Sequence, residues 1–180
     1  MKKISILLFV AASSFFISCE KDSDDTPQSV AVEQESLLAT WEVTGYQVED
    51  GKTITSVDGQ SLTQNYTAIG KDYDMTVTFN DVPKTVVSNG SYTVVLTTTV
   101  LGQTSTQEAP AFSAFEASEW KLDGSDIVLV NDEIETKVII SELTDDKMVM
   151  VMNINENTVV DEASNAKITT TGKLTITLEK

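Results

Sequence analysis

The chain has 180 residues, in which 12 lysines, with no arginine and no histidine, stand against 28 acidic residues for a formal net charge of −16. That balance disfavours a nucleic-acid surface and opposes electrostatic adhesion to an anionic bilayer. Without histidine there is no imidazole triad or histidine metal cluster, and the single cysteine, Cys19, excludes an intrachain disulfide.

The chain opens on a basic Met1-Lys2-Lys3, runs through apolar residues 4–12 and Phe15-Phe16-Ile17, and reaches a small residue, Ser18. This is the pattern of an export signal over residues 1–18. The apolar run, interrupted by Ser13 and Ser14, is too short for a spanning helix. Phe16-Ile17-Ser18-Cys19 resembles the lipobox of bacterial lipoproteins, which implies cleavage before Cys19 and leaves it as a lipid-modified first residue carrying palmitate-type chains. Buried acyl chains contribute about 0.8 kcal/mol per methylene, enough for two or three of them to hold an acidic domain at a membrane. The alternative is a secreted protein with a free thiol. Glu20-Lys21-Asp22-Ser23-Asp24-Asp25 is similar to the acidic export tether of surface lipoproteins in the Bacteroidota, with Lys21, Asp22, Asp24 and Asp25 as the tether residues. The resemblance implies an outer-membrane lipoprotein facing outward, a periplasm-facing one being the alternative; as plain chemistry the stretch is a solvated linker. Residues 19–34 are therefore read as lipidated cysteine and flexible tether, and residues 35–180 as one folded domain.

A helix of one or two turns is expected within residues 29–38, closing an end of the fold. Trp41 and Val43 then alternate with Thr40, Glu42 and Thr44, the period of a strand with one wet face. Asp50-Gly51 and Asp58-Gly59 read as turns around short strands at 53–57 and 62–68. Tyr73, Met75, Val77 and Phe79 share a face opposite Asp74, Thr76 and Thr78. Asn80-Asp81 reads as a turn with 84–88 pairing across it, and Asn89-Gly90 as a second hairpin turn. Residues 91–101 form a long threonine-rich strand carrying Tyr92, Val94 and Leu96 on one parity. The stretch 102–118 is irregular in pattern, with a brief helix expected at 112–117. Trp120 and Leu122 point inward before a turn at Asp123-Gly124, and strands follow at 127–130, 134–143 and 147–155, the last two separated by Asp145-Asp146. Met148, Met150, Met152 and Ile154 make one continuous face. A polar loop at 156–166 precedes a closing strand at 167–179.

Short connections favour antiparallel pairing, so the expected fold is all-β, an antiparallel meander of about eight to ten strands closing on itself to protect its edges. Leu37-Leu38-Ala39-Thr40-Trp41-Glu42-Val43, the Tyr73 to Phe79 run, Gly90-Ser91-Tyr92, Trp120-Lys121-Leu122-Asp123-Gly124 and Ile140-Ser141-Glu142-Leu143-Thr144 together resemble the lipocalin-like domains of Bacteroidota lipoproteins. The resemblance implies a lipocalin-like β-barrel with an early tryptophan at its base and an interior able to hold a small apolar molecule. The chain departs from the lipocalin pattern in carrying Ala39 where a glycine would precede the tryptophan, and in having no arginine to lie on that ring.

Trp41, Phe79, Tyr92, Trp120, Met148 and Met150 are the candidate ligand contacts, with a filled core as their structural alternative. No nucleophile comes with a recognisable base, so the reading is non-enzymatic. Asp132, Glu133, Glu135, Asp145 and Asp146 could serve hydrolysis or bind calcium, but sequence proximity makes them in the first instance charged loops. No cofactor is implied. The partners implied are a membrane through Cys19 and either a small apolar molecule or a surface protein.

Overall fold

The computed structural model describes residues 30–115, 119–132, 134–161 and 166–180. Cys19, Lys21, Asp22, Asp24, Asp25 and Glu133 lie outside them.

After one helical turn, α1 (Gln34–Leu37), the chain makes nine strands: β1 (Thr40–Val57), β2 (Gln60–Phe79), β3 (Val86–Val100), β4 (Gln103–Ala111), β5 (Glu119–Asp123), β6 (Asp126–Asn131), β7 (Ile134–Leu143), β8 (Lys147–Asp161) and β9 (Ala166–Glu179). They form one antiparallel sheet in the order β4-β3-β2-β1-β9-β8-β7-β6-β5. Every neighbour but one is a sequential hairpin; the exception, β1 beside β9, joins the first strand to the last.

The sheet curls until its two ends share one core. Phe79 of β2 meets Trp120 of β5 edge-on at 5.8 Å between ring centroids, and Phe115 at 6.5 Å. The expected barrel is nevertheless not closed by hydrogen bonds, since β4 and β5 are the two edges of the sheet. The physical reason lies at β5. It has only five residues, and its free edge is taken at its start by the β2–β3 connection: Thr85 bridges Glu119, and Trp120 N–H donates to the Lys84 carbonyl at 3.2 Å.

Five local expectations are corrected. Asp50-Gly51 lies inside β1, where the register with β2 and β9 shifts and Asp50 takes φ 52°; it is a bulge, not a turn. Asn89-Gly90 lies inside β3 opposite Thr76 and Met75. Gly90 has φ 103°, and a Cβ there would stand 1.9 Å from the Asp74 carbonyl oxygen, so glycine is required by close approach and not by a hairpin. Residues 103–111 form β4, and β8 carries strand pairing as far as Asp161, in place of the irregular segment and loop. Phe112 to Phe115 bends without helix. Asp58-Gly59 and Asp123-Gly124 do lie at hairpin turns, as does the unforeseen Leu101-Gly102.

The core sits at one end. Leu37, Trp41, Val77, Ile127, Val138, Ile140, Met148, Met150, Ile176 and Leu178 are wholly buried. Burial of aliphatic side chains of this size is worth about 1.5–3 kcal/mol each relative to exposure. Both tryptophans brace the base: Trp41 Nε1–H donates to the Leu37 carbonyl at 3.1 Å and Trp120 Nε1–H to the Asn80 carbonyl at 2.9 Å. Lys180 lies over Trp41 at 4.2 Å and Lys84 over Trp120 at 5.0 Å, each placing a cation on an indole face. Packing begins before α1, for Val30 N–H donates to the Ile140 carbonyl at 2.9 Å and Val30 and Val32 lie against the core.

Beyond this body the long strands continue as a wing. The outer halves of β1, β2, β3, β8 and β9, together with β4, extend past the last buried residues, and among the described residues no second layer lies over them. The alternation persists, but Thr, Ser, Asn and Gln replace most of the large apolar residues, and those that remain, such as Val57 and Leu62, are exposed.

Candidate functional site

The site is built by a fork in the sheet. β7 pairs with β8 only from Ile139 to Leu143, while β8 goes on pairing with β9 to Asp161. The first half of β7, from Ile134, stays with β6 instead. Where the two strands part, a cleft of about 890 Å³ leads into the curl of the sheet. That volume lies in the range of small-molecule sites.

Strand parity decides what lines it. Val94 and Leu96 of β3, Met152 and Ile154 of β8 and Leu174 of β9 continue the inward faces of their strands beyond the packed core, and of these Val94, Met152, Ile154 and Leu174 reach the cleft, with Tyr46, Tyr92 and Leu129 behind them. Ala114 and Phe115, on the segment after β4, cover part of one side. The rim is polar: Thr136, Lys137, Asn153, Asn155 and Glu156 stand at the parting strands. Lys137 is held there by Asp126, Nζ to Oδ2 at 2.9 Å, and this bond with the carboxylate raises its pKa.

Three tyrosines pack together at the inner end. Tyr92 lies 5.3 Å from Tyr46 and 5.7 Å from Tyr73, centroid to centroid. The Tyr73 hydroxyl accepts a hydrogen bond from the Tyr46 main-chain N–H at 2.9 Å, fixing one corner of the group. Burial pushes the Tyr92 hydroxyl well above the ordinary phenolic pKa and raises that of Tyr46, and neighbouring tyrosines add to it. They stay neutral at physiological pH, as donors that can also accept. The cleft thus offers an apolar wall, neutral hydroxyl-bearing rings inside and a charged rim outside.

Of the six candidate contacts, the structure brings only Tyr92 to the cleft. Trp41, Phe79, Trp120, Met148 and Met150 are at most 2 % exposed and pack against one another and their neighbours in the core. Val94, Met152, Ile154 and Leu174 were visible in the alternation as inward residues but carried no sign of being left uncovered. Tyr46 was hidden because the register slips between Val43 and Gly45, which returns an even-numbered residue to the inner face.

Asp132, Asp145 and Asp146 take turn positions, whereas Glu135 lies within β7. Asp146 accepts from the Thr144 hydroxyl at 2.8 Å within the β7–β8 turn, and Glu135 pairs with Lys121 at 2.6 Å on the surface. Among the described residues no three acidic side chains converge as cation ligands. No protein-family model, curated protein or solved structure matches the chain.

Proposed function

We propose that this chain is a non-enzymatic binding domain, held at the outer membrane through acylated Cys19, that takes a small amphipathic molecule into the cleft between β7 and β8. The observation that carries the reading is the fork itself. Two strands separate where inward apolar residues continue, and the side chains there line a space instead of filling it. An apolar ligand body would lie along Val94, Met152, Ile154 and Leu174, with a hydroxyl or carbonyl group toward Tyr46 and Tyr92. A polar end would remain at the Lys137 and Asn155 rim. In this reading the sheet is a lipocalin-like barrel with an open seam between β4 and β5, its base plugged by the two tryptophans and its mouth serving as the site.

Every residue of the buried core lies between Leu37 and Leu178, so a chain beginning at residue 26 retains it whole. Native mass spectrometry of that chain, purified from a bacterial host and followed by solvent extraction, tests the proposal. The expected result is a stoichiometric small molecule bearing both apolar and polar parts, or uptake of one when a lipid extract is added. Failure to retain any such molecule from a complex lipid extract would overturn it.

A further inference from the structure

The β4 edge departs from the way exposed strand edges are usually protected. Its residues from Gln103 to Pro110 are all exposed, its register with β3 runs without a bulge, and residues 103–107 carry no charge in a chain of net charge −16. Charges, bulges and short strands are the ordinary devices that keep such an edge from pairing with another chain. Pro110 fixes which main-chain groups are free. It has no N–H to give, pairs with Thr93, and so occupies a slot turned away from β3. Ladder alternation then turns the N–H and C=O groups of Thr104, Thr106 and Glu108 outward as well. The two-residue turn at Leu101-Gly102, which makes Val100 and Gln103 a hydrogen-bonded pair, gives the same phase.

The sequence at this edge, Gln103-Thr104-Ser105-Thr106-Gln107, reads identically in both directions. We propose that the edge pairs with a second copy of this chain, antiparallel, about a two-fold axis through Ser105. A two-fold interface sets residue i against j and j against i, so this register opposes Thr104 to Thr106, Ser105 to Ser105 and Gln103 to Gln107. Thr104 and Thr106 are the residues whose main-chain groups face outward, and the two copies exchange four main-chain hydrogen bonds through them. The side-chain pairs repeat a pattern that β4 already makes with β3, where Thr99 meets Thr104 at 3.0 Å, Thr98 meets Ser105 at 2.9 Å and Thr97 meets Thr106 at 3.4 Å between hydroxyl oxygens. Glu108, the nearest charge, falls opposite the Gly102 turn of the other copy and is paired with Lys71 at 2.9 Å. Leu101, 88 % exposed, comes beside Ala109 of the other copy. The interface is small, which makes the dimer a weak one.

Sedimentation equilibrium on the chain beginning at residue 26, up to millimolar concentration, should show a reversible monomer–dimer equilibrium that stops at two. Thr106→Pro removes an outward N–H without taking a bond from β3; loss of two of the four intermolecular bonds should weaken dimerisation roughly tenfold or more. Thr104→Lys, which keeps the backbone free, should weaken it too, so that a misfolded proline variant does not decide the matter. That chain lacks Cys19 and has no other cysteine. Ser105→Cys should therefore form an intermolecular disulfide under mild oxidation, and Thr106→Cys should form it far more slowly. A monomer at every concentration, open-ended association, or faster crosslinking at position 106 than at 105 would each overturn the proposal.

Discussion

The body and the wing are made from the same strands, yet they are held together differently. β1, β2, β3, β8 and β9 pass through both. In the body their inward positions carry Trp41, Met75, Phe79, Met150 and Leu178, and the sheet can curl over them. In the wing most of the corresponding positions are polar, with Thr53, Gln64, Thr98, Glu156 and Thr170 outnumbering apolar residues such as Leu62 and Val100, which leaves little apolar surface for a second layer to cover. Cross-strand pairs become the main stabilising contacts there, at roughly 0.2–1 kcal/mol apiece. Alternation alone therefore does not make a core; the size of the inward side chain decides whether a sheet closes over itself or stays open on both faces. The cleft sits at the boundary between the two regimes.

The sharpest way to break this comparison is at Trp41. Trp41→Ala should destabilise the chain by about 3–5 kcal/mol, read as a fall in the urea midpoint, because the cavity it leaves cannot collapse under the Leu37 turn. A second contrast uses two glycines. At Gly90→Ala the new methyl meets the Asp74 carbonyl within the body, and a loss of roughly 1–3 kcal/mol is expected. Gly59, at the wing hairpin, has open space around it, so Gly59→Ala should cost only the strain of its positive φ, about 1–2 kcal/mol, by the same denaturation measurement.

Alkaline titration separates the inner cleft from the exposed wing. Burial raises the Tyr92 pKa, so as pH climbs past the ordinary phenolic value near 10 the unfolded chain releases this proton before the folded chain does. The contribution is intact below that point and declines above it. The exposed lysines with raised pKa, Lys71, Lys137 and Lys147, act in the same direction. Tyr92→Phe should therefore make the fall in melting temperature between pH 9 and 11 shallower, without removing it. The smallest effect belongs to the wing: Thr99→Ala, which removes one hydroxyl pair with Thr104, should shift stability by under about 1 kcal/mol.

How much of this was legible in the chain divides along the same line. The body was readable because Trp41 with Val43 and Tyr73 to Phe79 alternate with polar residues, and burial of one parity is what such a pattern means; Met148 and Met150 alternate with valines and mark a strand that is apolar on both faces. The wing was partly unreadable. Residues 103–108 are polar on both parities and 156–161 show no apolar alternation, which is how a loop also looks, and only pairing with β3 and β9 makes them strands. Asp50-Gly51 misled because a bulge can call on the same positive-φ residues as a hairpin turn, and Asn89-Gly90 because a close approach of two strands calls on glycine as a turn does. The cleft could not be read at all, because the parting of β7 from β8 is a matter of which edge each strand pairs with and leaves no mark on the alternation.

The measurement that bears most directly on the proposed site is the binding of a fluorescent apolar probe, N-phenylnaphthylamine, to the chain beginning at residue 26 and to two variants of it. Val94→Trp places an indole in the cleft, and Leu62→Trp places the same indole on the exposed wing. The expected result is saturable binding of one probe per chain that Val94→Trp abolishes and Leu62→Trp leaves intact. Equal binding by all three, or no saturable binding by the unaltered chain, would contradict the assignment of the cleft as the binding site.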